Sequence, residues 1–424
     1  MLDRILSALG KCGIEDYHIV VKDEQSAELF FIKKELDMQR LKKVQTADVS
    51  VYHVFEEGDN RFRGVASVQV QDSLTQPEME KLFADAYYAA GFVKNKYYDL
   101  YEGTKVGMVQ AKDPFGEKTL NEMVQGFAQA LFAEDVYKEV FINSAEIFAS
   151  RLTVHIRNSR GVDVSYNRSR VQGDFVVQCT SGQDVETYQD FSYNGWNLDA
   201  IREKARNTIE LTRARARATT APAAGEYRLI LSGGYVNEFM SYYVNRASSF
   251  AIHQKYSTFS AGCDVQGGEV SKDRVNMTMK SNVPFSDEGI PMKNRELVKD
   301  GKLMMIHGGN RFAQYLGIAP TGNFDGYKVE AGNVSIEQMK EQPYLEVVNF
   351  SDFQMDWFTG HFGGEIRLAF LYDGKTVTPV TGGSVNGNIF EAQKSLVFSK
   401  EMQVEKDFEG PKAVAMDGVS VAGI

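Results

Sequence analysis

The chain has 424 residues, of which 43% are hydrophobic and 25% are charged, and its formal net charge at pH 7 is −10. These values are ordinary for a soluble globular protein, and the length suffices for two or three domains. The acidic balance argues against a nucleic-acid-binding protein, because such proteins need a basic surface.

Cysteine content and the N-terminal sequence indicate the compartment. The three cysteines, Cys12, Cys179 and Cys263, are far apart in sequence and form no Cys-x-x-Cys pair. This argues against a disulfide framework and favours a reducing compartment. Residues 1–13 predict a short amphipathic helix rather than a signal peptide, and no stretch reaches the length of a membrane-spanning helix. We therefore expect a cytoplasmic protein that does not enter a membrane.

The first half of the chain mixes strands and helices. Residues 47–70 alternate apolar and polar side chains on both sides of the sequence EEGDN, which predicts a β-hairpin. Capping boxes at residues 75–78 and 119–122 predict the starts of two helices, and Gly91 is a candidate end for the first. Residues 151–170 predict two further strands that are joined by a turn at residues 158–161.

The second half is predicted to be richer in strands and glycine. A long helix is expected over residues 198–218, and the small, Pro- and Gly-containing segment that follows it predicts a domain boundary. We expect an N-terminal α/β domain over residues 1–219 and a C-terminal β-rich domain over residues 220–424, giving an α+β fold. Within the second domain the patterns predict short helices at 235–248, 308–316 and 335–341, and a hairpin over 364–383.

The helix at 235–248 raises the question of a zinc site. A zinc peptidase helix carries His-Glu, followed a turn later by a second His. Here Asn237 precedes Glu238, and Tyr242 stands where the second ligand would be. A neutral amide is a weak zinc ligand, and a phenol is rarely deprotonated at neutral pH. The residues alone therefore favour a solvent-edge Glu238 on an amphipathic helix over a working zinc site.

The histidines offer no local ligand pair either, because all six are widely separated in sequence. His307 and His361, which both lie close to glycine pairs, are predicted on loops. Either could bind a substrate or an ion, although an ordinary loop role is favoured. A zinc site with unrecognised ligands among Glu238, His253 and His361 remains an alternative.

Six short segments in the second half carry a resemblance to a known family. In order they are SDEGIP (286–291), DGKL (300–303), TGN (321–323), TGHFGGEI (359–366), PVTGGSVNGNIFE (379–391) and VSVAG (419–423). The turn Asn158-Ser159-x-Gly161 in the first half also fits the same pattern. On these segments the chain resembles the TldD/TldE (PmbA) proteins, once labelled modulators of DNA gyrase and grouped with the metallopeptidases.

The resemblance implies a non-catalytic role. Catalytic TldD-type chains carry His-Glu-x-x-x-His and a Cys near the C-terminus as zinc ligands. In this chain Asn237 and Tyr242 replace the two histidines, only Glu238 matches, and no cysteine follows Cys263. We therefore expect a TldE-type subunit that holds no catalytic residue, cofactor or metal of its own.

The same resemblance implies partners and a substrate. A TldE-type subunit pairs with a TldD-type chain that carries the zinc, and the pair cleaves unfolded peptides, for example during peptide maturation. When the partner is missing, the chain could instead form a homodimer. A metallopeptidase active on its own, or a peptide-binding scaffold without a protease partner, are the alternatives. Because extended peptides commonly add to sheet edges, the glycine-rich C-terminal strands, in the segments 379–391 and 415–424, are the expected place for peptide binding.

Overall fold

The computed structural model describes residues 1–103, 105–109 and 113–423, and it shows a mixed α and β architecture. The first half of the chain forms one seven-stranded sheet. Its strands are β1 Tyr17–Ile32, β2 Glu35–Glu57, β3 Asn60–Gln71, β4 Lys105–Val109, β5 Val140–Asn158, β6 Asp163–Cys179 and β7 Val185–Tyr193.

This N-terminal sheet runs in the order β3-β2-β1-β5-β6-β4, with β7 also paired to β6. Neighbouring strands are antiparallel, except that β4 lies parallel to β6. Its strands contribute to two apolar clusters, one with the first two helices and one with the next two. The four helices are α1 Leu2–Lys11, α2 Gln76–Ala90, α3 Leu120–Phe132 and α4 Leu198–Arg217.

The predicted helix starts in this half are confirmed. Thr75 and Thr119 are the N-cap residues of α2 and α3, and both capping boxes form. Gly91 is the C-cap of α2, but its φ of −63° is right-handed, so this position does not need glycine for its backbone angle. The turn between β5 and β6 does need one, because Gly161 has a φ of 92°.

The second half contains the remaining strands and five short helices. The strands are β8 Gly225–Ser232, β9 Met277–Lys280, β10 Arg295–Lys299, β11 Lys302–Leu303, β12 Gly326–Val329, β13 Tyr344–Phe350, β14 Gln354–Met355, β15 His361–Tyr372, β16 Val377–Val380, β17 Ser384–Asn388, β18 Val397–Phe398, β19 Met402–Glu405, β20 Phe408–Pro411 and β21 Ala413–Ala422. The helices are α5 Gly234–Arg246, α6 Ser249–His253, α7 Asn310–Tyr315, α8 Ile336–Met339 and α9 Ile389–Ala392.

Five of these strands close into a barrel. The pairing runs β13-β8-β21-β17-β15, and β15 returns to pair with β13. A second sheet, β11-β10-β9-β12-β20-β19, lies beside the barrel, and the largest apolar cluster of the chain lies between these elements. The fold class expected from the sequence, an α/β half followed by a β-rich, barrel-like half, is confirmed.

The strand pairing divides the chain into two parts. In the described residues, the strands up to Tyr193 belong to the N-terminal sheet and the strands from Gly225 belong to the other two sheets; the domain boundary after residue 219 stays a prediction. β17 pairs with β15 on one side and β21 on the other, whereas in the described residues β16 pairs with β15 alone, so the expected place of peptide binding stays a prediction. In the described residues, no helix has the length and apolar character needed to cross a membrane.

Candidate functional site

The helix that carries the candidate zinc positions follows directly from a barrel strand. β8 ends at Ser232, and Gly233 caps α5 with a φ of 66° that favours glycine. The Gln403 side-chain amide donates to the Gly233 carbonyl at 2.9 Å, which ties this helix start to β19. The apolar face of α5 is buried in the C-terminal core, so the helix is part of the packing of the domain.

The first ligand position is used for a structural contact. Asn237 is half-buried, and its backbone and side-chain oxygens both lie within hydrogen-bonding distance of the Tyr327 hydroxyl on β12. The next residue, Glu238, is exposed, and its carbonyl accepts a hydrogen bond from the Ser241 hydroxyl at 2.7 Å. Burial, with a smaller contribution from the Glu238 charge, raises the pKa of Tyr327. The expectation of a solvent-edge Glu238 agrees with this arrangement.

The second ligand position faces the core. The Tyr242 side chain is only 1% exposed, and its ring packs edge-on against those of Tyr243, Phe259 and Phe390 at centroid distances of 5.3, 6.3 and 6.3 Å. The guanidinium of Arg246 lies 5.6 Å from the centre of the same ring. Burial raises the pKa of Tyr242, so the phenol stays protonated at neutral pH.

The histidines considered as alternative ligands lie in separate environments. His253 ends α6, with its ring against Tyr315 at 4.9 Å. His307 is buried, and one ring nitrogen lies 2.9 Å from the Val244 carbonyl; burial lowers its pKa. His361 was predicted on a loop, but it is the first residue of β15 and pairs with Asn388, because the strand begins directly after the turn at Gly360.

These residues do not fit a zinc ion. The Asn237 side-chain oxygen accepts a hydrogen bond from Tyr327, and the Tyr242 phenol is buried and protonated. Both are poor zinc ligands, because zinc prefers His, Cys or carboxylate side chains. In the ranges that the structure covers, no three His, Cys, Asp or Glu side chains are grouped as metal ligands. The three cysteines are free thiols at separate positions.

Two of the motif segments meet between the halves of the chain. Gly289, in the segment 286–291, has a φ of 78°, and a Cβ at this position would lie 2.3 Å from a methyl carbon of Val162. Val162 follows the turn at 158–161, and Phe285 joins its apolar cluster from the C-terminal side. The sequence resemblance identified both segments but gave no sign that they are in contact.

Glu288 is the most perturbed carboxyl of this contact. Its Oε2 accepts the backbone N–H of Asn310 at 2.7 Å, yet burial dominates and raises its pKa to about 7. Asp287 adds to this rise, and Arg311 opposes it. The sequence analysis did not single out Glu288 as a functional residue, because burial of a carboxyl between domains leaves no local pattern.

A polar cleft also lies between the two halves. It has a volume of about 510 Å³ and is lined by side chains of both charges. A smaller cleft of about 260 Å³ adjoins it and shares Asn194 and Asn282 with it. Residues that line the larger cleft include Asp23, Arg151, Arg168, Asn194, Asn282 and Asp325.

The C-terminal half of the chain matches a known family model. Residues 224–423 match the family model of the PmbA/TldA metallopeptidase C-terminal domain. The C-terminal half of the chain is therefore similar to the PmbA/TldD proteins, in the part where most of the motif segments lie.

Comparisons over longer stretches agree with this family. The chain is 21% identical over 312 residues to a protein named metalloprotease from Archaeoglobus fulgidus, with 65% of this chain and 70% of that protein covered.

The similar solved structures show the same fold. TldE from Thermococcus kodakarensis has a TM-score of 0.75 at 16% identity, covering 99% of this chain and 100% of that one. A protein from Thermotoga maritima described as a candidate modulator of a DNA gyrase has a TM-score of 0.75 at 15% identity, with 99% of each chain covered. A similarly described protein from Bacteroides thetaiotaomicron has a TM-score of 0.76 at 16% identity, covering 100% of this chain and 99% of that one.

Proposed function

We propose that this chain is a non-catalytic, TldE-type subunit of a heteromeric metallopeptidase that degrades or matures unfolded peptides. The observation that carries the proposal is that both positions where a zinc peptidase helix has its histidine ligands are used for packing or hydrogen bonding. Asn237 is engaged with Tyr327, and Tyr242 is buried among aromatic rings. A TldD-type partner would hold the zinc, and this chain would contribute to the enclosure around it.

The location of Glu238 supports the same proposal. In a zinc peptidase the Glu of the motif is the general base, and it acts on water that the metal binds. Here Glu238 is exposed, and its neighbours on the motif are an amide and a buried phenol. Without a metal beside it, Glu238 has no activated water to deprotonate.

The polar cleft gives the substrate side of the proposal a candidate location. Its wall includes β5 and β6 of the N-terminal sheet, together with Asn282 and Asp325 of the C-terminal half. Side chains of both charges and neutral amides can bind the polar backbone of an extended polypeptide.

We place the protein in a reducing compartment, such as the cytoplasm, because all three of its cysteines are free thiols.

The experiment compares three samples: the purified chain, a TldD-type chain with intact His-Glu-x-x-x-His, and the two mixed. Zinc is measured after dialysis, and cleavage is followed with an unfolded peptide. We expect zinc and chelator-sensitive cleavage only where the TldD-type chain is present, and faster cleavage in the mixture. Stoichiometric zinc and cleavage in the isolated chain would contradict the proposal.

Two variants sharpen this test. Glu238→Gln in this chain should leave cleavage by the mixture unchanged, whereas the same change in the motif of the partner should abolish it. If Glu238→Gln removes activity from this chain alone, the alternative of an autonomous peptidase with Glu238, His253 or His361 as ligands is favoured. If no TldD-type chain binds, the scaffold alternative is favoured.

A further inference from the structure

A short helix of the C-terminal half holds a segment of the N-terminal half by its backbone. The side chains of Asn310 and Gln314 on α7 each donate to the Asp99 carbonyl at 2.7 Å. The Asp99 N–H in turn donates to Gln314 Oε1 at 2.9 Å. We call α7 together with residues 96–99 the latch, because these hydrogen bonds fasten the two halves of the chain to each other.

The N-terminal side of the latch is fixed to the sheet behind it. The buried Arg63 guanidinium of β3 donates to the Tyr98 carbonyl at 2.6 Å and to Asp16 at 2.9 Å. The Tyr98 ring packs edge-on against that of Tyr315 on α7, at a centroid distance of 6.0 Å. The Tyr315 hydroxyl donates to the Lys96 carbonyl. Separation of the two halves at this place must therefore break the latch.

The C-terminal side of the latch begins on a carboxyl group. Glu288 Oε2 accepts the N–H of Asn310, the first residue of α7, at 2.7 Å. The packing is close, since a Cβ added to Gly309 would lie 2.7 Å from the same oxygen. An ionised carboxyl that is packed in this way loses part of its hydration, which is costly unless other groups replace the water.

The groups that face Glu288 offset only part of that cost. Arg311 on α7 favours the ionised carboxyl, whereas the neighbouring charge of Asp287 disfavours it. Tyr52 and Tyr98 also lie close, and burial raises the pKa of both phenols, so both are neutral at pH 8. Burial outweighs Arg311 and raises the pKa of Glu288 to about 7.

His18 on β1 is a second titratable group at this contact. It lies beside Asp287, its Nε2 has no hydrogen-bond partner among the described residues, and burial lowers its pKa. Protonation of His18 in acid therefore favours separation of the halves, which is the reverse of the effect of protonating Glu288. A pH test must for this reason compare the wild type with a variant at Glu288.

The latch and the polar cleft lie along the same two strands. The turn at 158–161 joins β5 and β6, and Val162 after it packs against Gly289, next to the carboxyl of the latch. Away from this turn, Arg151 on β5 and Arg168 on β6 line the cleft. Movement of the two halves at the latch therefore changes the width of the cleft.

We infer that the latch is a proton-controlled fastening between the two halves, closed while Glu288 carries its proton and released from residues 96–99 when Glu288 ionises. The ionised carboxyl regains water when the latch opens, whereas the neutral carboxyl gains little. This inference does not rest on the proposed function, because it concerns a contact within this chain and requires neither a metal nor a peptide.

Amide hydrogen exchange at residues 96–99 and 310–315 measures opening of the latch, after correction for the intrinsic pH dependence of exchange. The opening constant of the wild type is divided by that of Glu288→Gln at pH 6 and at pH 8. With a pKa of 4.5 in the open latch and about 7 in the closed one, we expect this ratio to rise about tenfold. The division cancels the contribution of His18.

Two further variants separate the latch from other causes. Gln314→Ala removes the side chain that both donates to and accepts from the Asp99 backbone, so it should increase opening at both pH values. Glu337→Gln is the matched control, because Glu337 is an exposed carboxyl in the first turn of α8 and should leave exchange at the latch unchanged. Thermal unfolding of each variant checks that the fold is retained.

Three results would overturn the inference. One is a ratio that is the same at pH 6 and pH 8, and another is exchange at the latch that Gln314→Ala leaves unchanged. The third is a pH response that is equally large in the β2–β3 hairpin, which would show a loss of global stability rather than release of the latch. Zinc content and peptide cleavage play no part in these measurements, so failure of the inference leaves the proposed function untouched.

Discussion

The Tyr327 hydroxyl lies within hydrogen-bonding distance of both the carbonyl and the side-chain oxygen of Asn237. Tyr327 is itself buried, with its ring 5.3 Å from that of Phe408. The contact therefore links the start of α5 to β12 and β20 of the second sheet. A residue at a zinc-ligand position of the family motif thus holds two parts of the domain together.

Replacing Tyr327 with Phe tests this structural role. The change removes the Tyr327 hydroxyl and leaves the half-buried Asn237 side-chain oxygen without this hydrogen-bond donor. We therefore expect the free energy of unfolding to fall by about 1–2 kcal/mol. Urea unfolding followed by circular dichroism measures the difference. The control is Tyr188→Phe, at a phenol that is 59% exposed, where we expect almost no change. Equal effects at both positions would show that the contact does not stabilise the domain.

Restoring the missing histidines should not restore a zinc site. In the double variant Asn237→His/Tyr242→His, the second imidazole must occupy the aromatic cluster that Tyr242 fills. Loss of packing and a buried polar ring should cost about 2–4 kcal/mol. We expect less than stoichiometric zinc after dialysis, measured by elemental analysis. Asn237→His alone is the control for loss of the contact with Tyr327, and tight zinc binding by the double variant would contradict the buried role of Tyr242.

Glu288 predicts a pH dependence of stability. Its pKa is raised from 4.5 in the unfolded chain to about 7 in the folded one, mainly by burial. The folded state therefore binds the proton of Glu288 more tightly than the unfolded state does. The contribution of this group to the free energy of unfolding is fully present below pH 4.5 and is lost as the pH rises through about 7. The loss is on the order of 3–4 kcal/mol, since each pKa unit corresponds to about 1.4 kcal/mol.

Glu288→Gln should remove this dependence. At pH 8 we expect the variant to be more stable than the wild type, and at pH 4 the two should be similar. The measured quantity is the difference between their free energies of unfolding from pH 4 to pH 8. Taking the difference cancels the pH dependence that other groups contribute, such as His18, whose pKa is lowered by burial. A difference that does not change with pH would show that Glu288 titrates normally.

Gly289 is expected to tolerate no side chain. Its φ of 78° is unfavourable for other residues, and an added Cβ would lie 2.3 Å from a Val162 methyl carbon. We expect Gly289→Ala to destabilise the protein by about 2–4 kcal/mol, from backbone strain and overpacking together. Gly262→Ala is a matched control, because its φ of 84° is similar and nothing lies within 4 Å of its Cβ position. If both changes cost the same, the contact between the two halves contributes nothing.

The sequence by itself determined the local elements and the family that the C-terminal half resembles. Capping boxes at Thr75 and Thr119, the hairpin turn near Gly161 and the helix at 235–248 all depend on residues within a few positions of one another. Local hydrogen bonds and backbone preferences set such elements, so a single sequence displays them. The helices α6 and α9 were missed because segments of five and four residues are too short to show a period.

Only the tertiary structure decided how distant segments meet. The barrel closes through β13 and β15 and is completed by β21, nearly two hundred residues after β8, and no local pattern specifies that pairing. The same folding buries Tyr242 and raises the pKa of Glu288, because both depend on neighbours from other parts of the chain. Burial and strand pairing are properties of the assembled chain, so they appear only when its parts are in contact.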